Sequence, residues 1–213
     1  MNYHNITYPD MNNGDGLRVV LWLSGCSHHC YNCQNPQTWD ANSGIPFDES
    51  AKKELFRELD KDYISGLTLT GGDPLFESNL DDVLDLVTEF NKRYNFQKID
   101  SANPCKMGVS EVKNSDRFRL SFPNKSIWLY SGFRWEECQP FNEDGLLKPD
   151  KFAPNLQKIL QKRYEVISKC TIMVDGRYID SQRNPSKKWA GSDNQRIISI
   201  AESLKQGKVI MLE

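Results

Sequence analysis

The sequence predicts a single α/β domain, and three stretches carry that expectation. Leu17-Arg18-Val19-Val20-Leu21-Trp22-Leu23 is a nearly unbroken apolar run, as expected of a strand covered on both faces in a parallel sheet. Asn79 to Tyr94 places Leu80, Val83, Leu84, Leu86, Val87, Phe90 and Tyr94 at helical spacing, which reads as a crossover helix packed on that sheet. Ile127-Trp128-Leu129-Tyr130-Ser131-Gly132-Phe133 then resumes strand character. Strands alternating with helices in this way predict parallel order.

The remaining elements follow along the chain. Asn12-Asn13-Gly14-Asp15-Gly16 reads as a tight turn leading into the first strand, Leu17 to Leu23. Asp48 or Ser50 caps a helix running to about Leu59, with Leu55, Phe56 and Leu59 inward. Ile64 to Thr70 is a short strand closed by the turn Gly71-Gly72-Asp73-Pro74-Leu75. Residues 95–125 lose periodicity, and within them Phe118 to Phe122 alternates like a short edge strand. Trp135-Glu136-Glu137-Cys138 reads as a helix start, residues 139–155 are irregular, and Asn155 to Tyr164 forms a helix. Cys170 to Val174 is a strand ending in an Asp175-Gly176 turn. After the polar loop Lys187 to Arg196, two helical turns are expected from Ile197, Ile198, Ile200, Ala201 and Leu204.

Composition narrows the function classes. The 213 residues suffice for one substantial core, and a net charge of −2 offers no basic field for nucleic acid. No apolar run of about 18 residues and no signal-peptide pattern is present, so neither membrane nor export is expected and the location is cytoplasmic. Six cysteines in such a protein point to metal or redox chemistry rather than disulfides.

The chemistry concentrates in Ser24-Gly25-Cys26-Ser27-His28-His29-Cys30-Tyr31-Asn32-Cys33, at the C-terminal end of the first strand, where α/β sheets hold their ligands. A [4Fe–4S] cube has four irons, each normally held by a thiolate. If a cluster sits here, Cys26, Cys30 and Cys33 supply three thiolates, and the fourth iron is left open to bind and reduce something unless a distant cysteine closes it. Zinc modules present two close ligand pairs, and no second pair follows; Cys105, Cys138 and Cys170 stand alone. His28 and His29 could each replace a thiolate. Cys105 reads as an ordinary thiol and Cys170 as a core thiol.

The spacing C-x3-C-x2-C resembles the signature of the radical S-adenosylmethionine enzymes. The stretch from Gly25 to Asn35 with Thr38-Trp39, the turn Thr70 to Leu75, the runs Trp128 to Phe133 and Met173 to Tyr178, and Gly191-Ser192-Asp193-Asn194-Gln195-Arg196 resemble the activating proteins of anaerobic ribonucleoside-triphosphate reductase. Two positions depart from those patterns: Asn32 where an aromatic residue is frequent, and Ala190 where an arginine is usual.

The resemblance implies a partial (β/α) barrel of mostly parallel strands, of the radical SAM type, with insertions at 95–125 and 139–155. It implies an oxidoreductase that cleaves S-adenosyl-L-methionine at a [4Fe–4S] cluster on Cys26, Cys30 and Cys33. The resulting 5′-deoxyadenosyl radical would generate a glycyl radical on the large subunit of the reductase, with electrons from a donor such as flavodoxin. Gly71, Gly72, Asp73 and Pro74 would position the methionine moiety, and Ser131 would stand at the cofactor edge. Asp175 would contact the cofactor's amino group or ribose, or simply cap its turn; both readings stand. Rival readings are an activase of another glycyl-radical enzyme such as pyruvate formate-lyase, a small-molecule radical enzyme, and an electron-transfer or zinc module.

Overall fold

The computed structural model of the chain describes residues 1–95, 125–140 and 155–212. In chain order its regular elements are β1 (Asn2–Asp10), β2 (Arg18–Leu23), β3 (Ile45–Pro46), α1 (Glu49–Leu59), β4 (Gly66–Gly71), α2 (Leu80–Tyr94), β5 (Ser126–Ser131), α3 (Leu156–Ser168), β6 (Ile172–Asp175), β7 (Arg196–Ser199) and α4 (Ile200–Gln206). The strands form one open seven-stranded sheet in the order β3-β1-β2-β4-β5-β6-β7. Its centre, β2-β4-β5-β6, is parallel, whereas β1, β3 and β7 join antiparallel. The α/β expectation holds, with a mixed sheet in place of a mostly parallel one.

The apolar runs produce the parallel centre because both faces of each strand are covered. Odd-numbered β2 residues (Val19, Leu21, Leu23) join Leu67, Leu69, Ile127, Leu129 and Met173 under α1, α2 and α3. The opposite face carries a smaller cluster of Trp128, Ile172 and Val174, closed by Tyr130, Trp189 and Ile197. Asp48 caps α1 by accepting from the N–H groups of Ser50 and Ala51. At the opposite edge of the sheet from the cysteine loop, fully buried Arg18 donates to Thr68 Oγ1, to Ser126 Oγ and to the carbonyls of Asp15, Leu67 and Ser126. That fork ties the starts of β2, β4 and β5 together, and burial pushes its guanidinium down to about 10.

Four expectations are corrected. The stretch Leu17 to Leu23 is not the first strand: β1 (Asn2–Asp10) precedes the Asn12–Gly16 turn, and it buries just Tyr3 and Ile6, so its pattern is too polar to announce itself. Ile197 and Ile198 belong to β7 against β6 and not to a helix, consistent with β-branched residues at the rim of a sheet. Trp135–Cys138 is a single 3-10 turn. The last helical pattern before β6 runs on to Ser168. Phe118 to Phe122 and Cys105 lie outside the described residues.

Candidate metal centre

The cysteine loop leaves β2 at Leu23 and is held from below by backbone hydrogen bonds. Gly25 N donates to Thr38 O at 2.7 Å and Cys26 N to Trp39 O at 3.0 Å, so the 3-10 turn Pro36–Thr38 forms its floor. Two non-glycine residues in the loop, His29 and Asn32, adopt left-handed backbone with φ of 45° and 54°. Such conformations cost energy and persist where the surroundings over-determine them. His29 also lies against Trp39, with ring centroids 4.7 Å apart.

Cys26, Cys30 and Cys33 are half-buried, and Asn35 N lies 3.4 Å from Cys33 Sγ. Burial, reinforced by the Asp73 charge, pushes the Cys26 thiol up to about 11; burial also raises Cys30. Burial thus favours the protonated thiol at Cys26 and Cys30, and loading a metal there must release those protons. Among the described residues, Cys138 and Cys170 are closed into the core, and Cys170 Sγ is spent on Val166 O at 3.2 Å. No three His, Cys, Asp or Glu side chains among the described residues converge on a single-ion site.

The Gly71–Leu75 turn at the end of β4 packs directly on this loop. Gly72 N donates to Leu23 O and Asp73 N to Gly25 O, both at 2.7 Å. A Cβ on Gly72 would fall 2.5 Å from Gly25 O, so only glycine lets the two backbones approach this closely. Gly71 has φ 98°, a left-handed value that glycine accepts without strain. Pro74 is buried behind the turn.

Asp73, 1% exposed, gathers the site. Its carboxylate accepts from Leu75 N (2.8 Å), Ser131 Oγ (2.9 Å), Gly132 N (2.9 Å) and His28 Nε2 (2.8 Å). The side chains of Asp73 and Ser131 thus join β4, β5 and the cysteine loop. Asn79 adds a further tie by donating to Ser24 O at 2.7 Å and Asp73 O at 3.2 Å. Fully buried Asp175 accepts from Trp135 N at 2.8 Å and from Arg196, whose other edge grips Glu136.

The polar loop before β7 is bound to the turn after β6. Gln195 accepts from Gly191 N and donates to Gly176 O, Asn194 donates to Arg177 O, and Lys187 Nζ donates to the carbonyls of Asp193 and Gln195. These bonds account for a polar block that propensity leaves unexplained. Ala190 packs with Trp189 against the small second cluster.

Two clefts open beside the loop. One, of about 490 Å³, is lined by Gly132, Arg134, Glu136, Arg177 and Asn194; the other, of about 410 Å³, by Tyr31, Tyr178, Ile179 and Asp180. Ile179 borders both, and each has the size usual for a small-molecule ligand. The expected residues Cys26, Cys30, Cys33, Gly71, Gly72, Asp73, Pro74, Ser131 and Asp175 all lie at this one edge of the sheet or directly behind it. Sequence reasoning missed the His28–Asp73 contact and the Arg196 fork, which join residues 45 and 21 positions apart.

The chain is similar in sequence to known proteins. A family described as a 4Fe-4S single cluster domain matches residues 12–108 and 111–198. The anaerobic ribonucleoside-triphosphate reductase-activating protein of Enterobacteria phage T4 is 34% identical over 96% of this chain and 97% of its own. The proteins of the same name from Escherichia coli (strain K12) and Pasteurella multocida (strain Pm70) are each 30% identical. They cover 92% and 95% of this chain, and 96% and 99% of their own.

Proposed function

The chain belongs to the family of anaerobic ribonucleoside-triphosphate reductase-activating proteins, and from that premise we propose that it is a radical S-adenosylmethionine enzyme that installs a glycyl radical on its reductase. The observation that carries this reading is the set of three half-buried thiols on one loop, a loop that packs through Gly25 directly on the glycine turn at the end of β4.

A [4Fe–4S] cluster with S-adenosylmethionine supplies one-electron cleavage of the sulfonium, giving methionine and a 5′-deoxyadenosyl radical that takes a hydrogen atom from a glycine of the reductase. In this proposal Cys26, Cys30 and Cys33 hold three irons and the chain leaves the fourth to the cofactor. The donor set suits a cube, whose thiolates sit on separate irons, better than one zinc ion, for which no convergent group exists among the described residues. Gly71 and Gly72 keep the methionine side of the site clear of Cβ atoms. Asp73 and Ser131, saturated by protein donors, act as anchors of that wall, and Pro74 backs it. Asp175 with Arg196 holds the end of β6 where the adenosyl side would lie. These interlocked walls exclude water from a reactive radical.

The sequential strand order around a parallel centre supports reading the sheet as a partial barrel of the radical SAM type. We place the reaction in the cytoplasm, without nucleic acid or membrane, with electrons from a donor such as flavodoxin. No helix among the described residues is long and apolar enough to cross a membrane.

The test is anaerobic reconstitution with iron and sulfide, followed by electron paramagnetic resonance of the reduced protein. The expected result is a cluster signal that shifts on adding S-adenosylmethionine, loss of cofactor cleavage in Cys30→Ala, and a glycyl doublet when the anaerobic reductase is added. A cluster with four protein ligands, or undiminished cleavage by Cys30→Ala, refutes the proposal.

A further inference from the structure

We propose that His28 is a positioning residue that ties the chain between Cys26 and Cys30 to Asp73 of the glycine turn, an inference that rests on reading Cys26, Cys30 and Cys33 as cluster ligands. His28 stands between two of those cysteines, and its side chain is only 2% exposed. Its Nε2 lies 2.8 Å from Asp73 Oδ2. The other polar neighbours of that carboxylate are all donors, namely Ser131 Oγ and the N–H groups of Leu75 and Gly132. The carboxylate therefore accepts throughout, and the proton of the His28 contact sits on Nε2.

The ring has no freedom to drift. Phe133 meets it edge-on with centroids 4.4 Å apart, and a Cβ added to Gly132 would fall 2.2 Å from its Cδ2. His28 itself stands two positions after Cys26 and two before Cys30, and the next residue, His29, has a left-handed φ of 45°. Fixing the ring on Asp73 thus fixes the stretch of chain between two sulfur ligands. Residues behind the ligands of a metal site set the orientation of those ligands.

His28 Nδ1 is buried with no hydrogen-bond partner. An unsatisfied buried polar atom is a cost that an apolar ring of similar shape would avoid. Packing alone therefore favours phenylalanine here, and what histidine adds is the donor to Asp73.

The experiment compares wild type with His28→Phe, which keeps the ring volume but not the donor, and His28→Gln, whose amide can restore it. In metal-free protein, alkylation by iodoacetamide is followed at Cys26 and Cys33 by peptide mass spectrometry. The expected ratio of Cys26 to Cys33 rates rises about fivefold in His28→Phe, the equivalent of about 1 kcal/mol of lost local closure, and returns to within about twofold in His28→Gln. In reconstituted protein, His28→Phe keeps the iron content but shifts the g values of the reduced cluster, and His28→Gln does not. Gly132→Ala, which displaces the ring without altering residue 28, gives the same shift and serves as the second variant if His28→Phe does not fold. An unchanged ratio and spectrum in an iron-loaded His28→Phe, or failure of glutamine to restore either, overturns the inference while leaving the ligand set intact. Wild-type protein that takes up no iron overturns the ligand reading itself, and this inference with it.

Discussion

Replacing Gly72 by alanine tests whether the glycine turn and the cysteine loop are one packed unit. The new Cβ would lie 2.5 Å from Gly25 O and 3.0 Å from Leu23 O, where ordinary contact begins at 3.4 Å. Both neighbours are backbone, so neither can swing aside, and the turn must retreat by most of an ångström. Two hydrogen bonds of 2.7 Å span that gap, Gly72 N to Leu23 O and Asp73 N to Gly25 O, and the retreat stretches both past useful length. Overpacking costs about 1–3 kcal/mol and each of the two lost bonds about 1 kcal/mol, which together suggest about 3–5 kcal/mol. For a chain of this size that lowers the melting midpoint by roughly 6–20 °C. Thermal unfolding of metal-free protein by circular dichroism measures it. Gly207→Ala is the control: its φ is 65° and nothing lies within 4 Å of the added Cβ, so only backbone strain of about 1 kcal/mol is expected. Should Gly72→Ala melt no lower than Gly207→Ala, the close packing of turn on loop is not what holds this edge of the site.

Two further predictions concern the fork at the end of β6. Arg196→Met leaves Asp175 buried with only Trp135 N as partner, and partial exposure of the arginine limits the expected loss to about 2–3 kcal/mol, read as a lower urea midpoint. An unchanged midpoint would mean that Asp175 is satisfied some other way. Arg196 also holds the Glu136 carboxyl below the usual carboxylate range. The pair therefore adds stability above that range and loses it as pH falls through the lowered value. Glu136 is largely exposed, so Glu136→Gln should cost under about 1 kcal/mol at neutral pH and the gap from wild type should close in acid; a gap that widens in acid contradicts the sign.

What the sequence made legible follows the strength of its periodic patterns. Val19 to Leu23 and Leu80 to Phe90 announced a covered strand and its crossover helix because burial on both faces, or on one broad stripe, leaves a dense apolar record. β1 left no such record, since most of it lies at the rim and only two of its side chains are buried in the core. Ile197 and Ile198 fit either period, and pairing with β6 decided between them, which no local pattern contains. In the candidate site, spacing alone singles out the three cysteines as candidate ligands. The partners of Asp73 were not legible, because His28, Ser131 and Gly132 meet it across 45, 58 and 59 positions.

The three thiols fall within eight consecutive positions, whereas Asp73, Ser131 and Gly132 behind them come from distant parts of the chain. On the proposed ligand assignment, a nascent or unfolded polypeptide can therefore already capture iron through this short segment, as unfolded cysteine-bearing chains do. The enclosing wall cannot exist until slow, non-local strand pairing is complete. Capture and confinement are separate events during biogenesis, and the interval between them is when an assembled cube would be most open to oxygen.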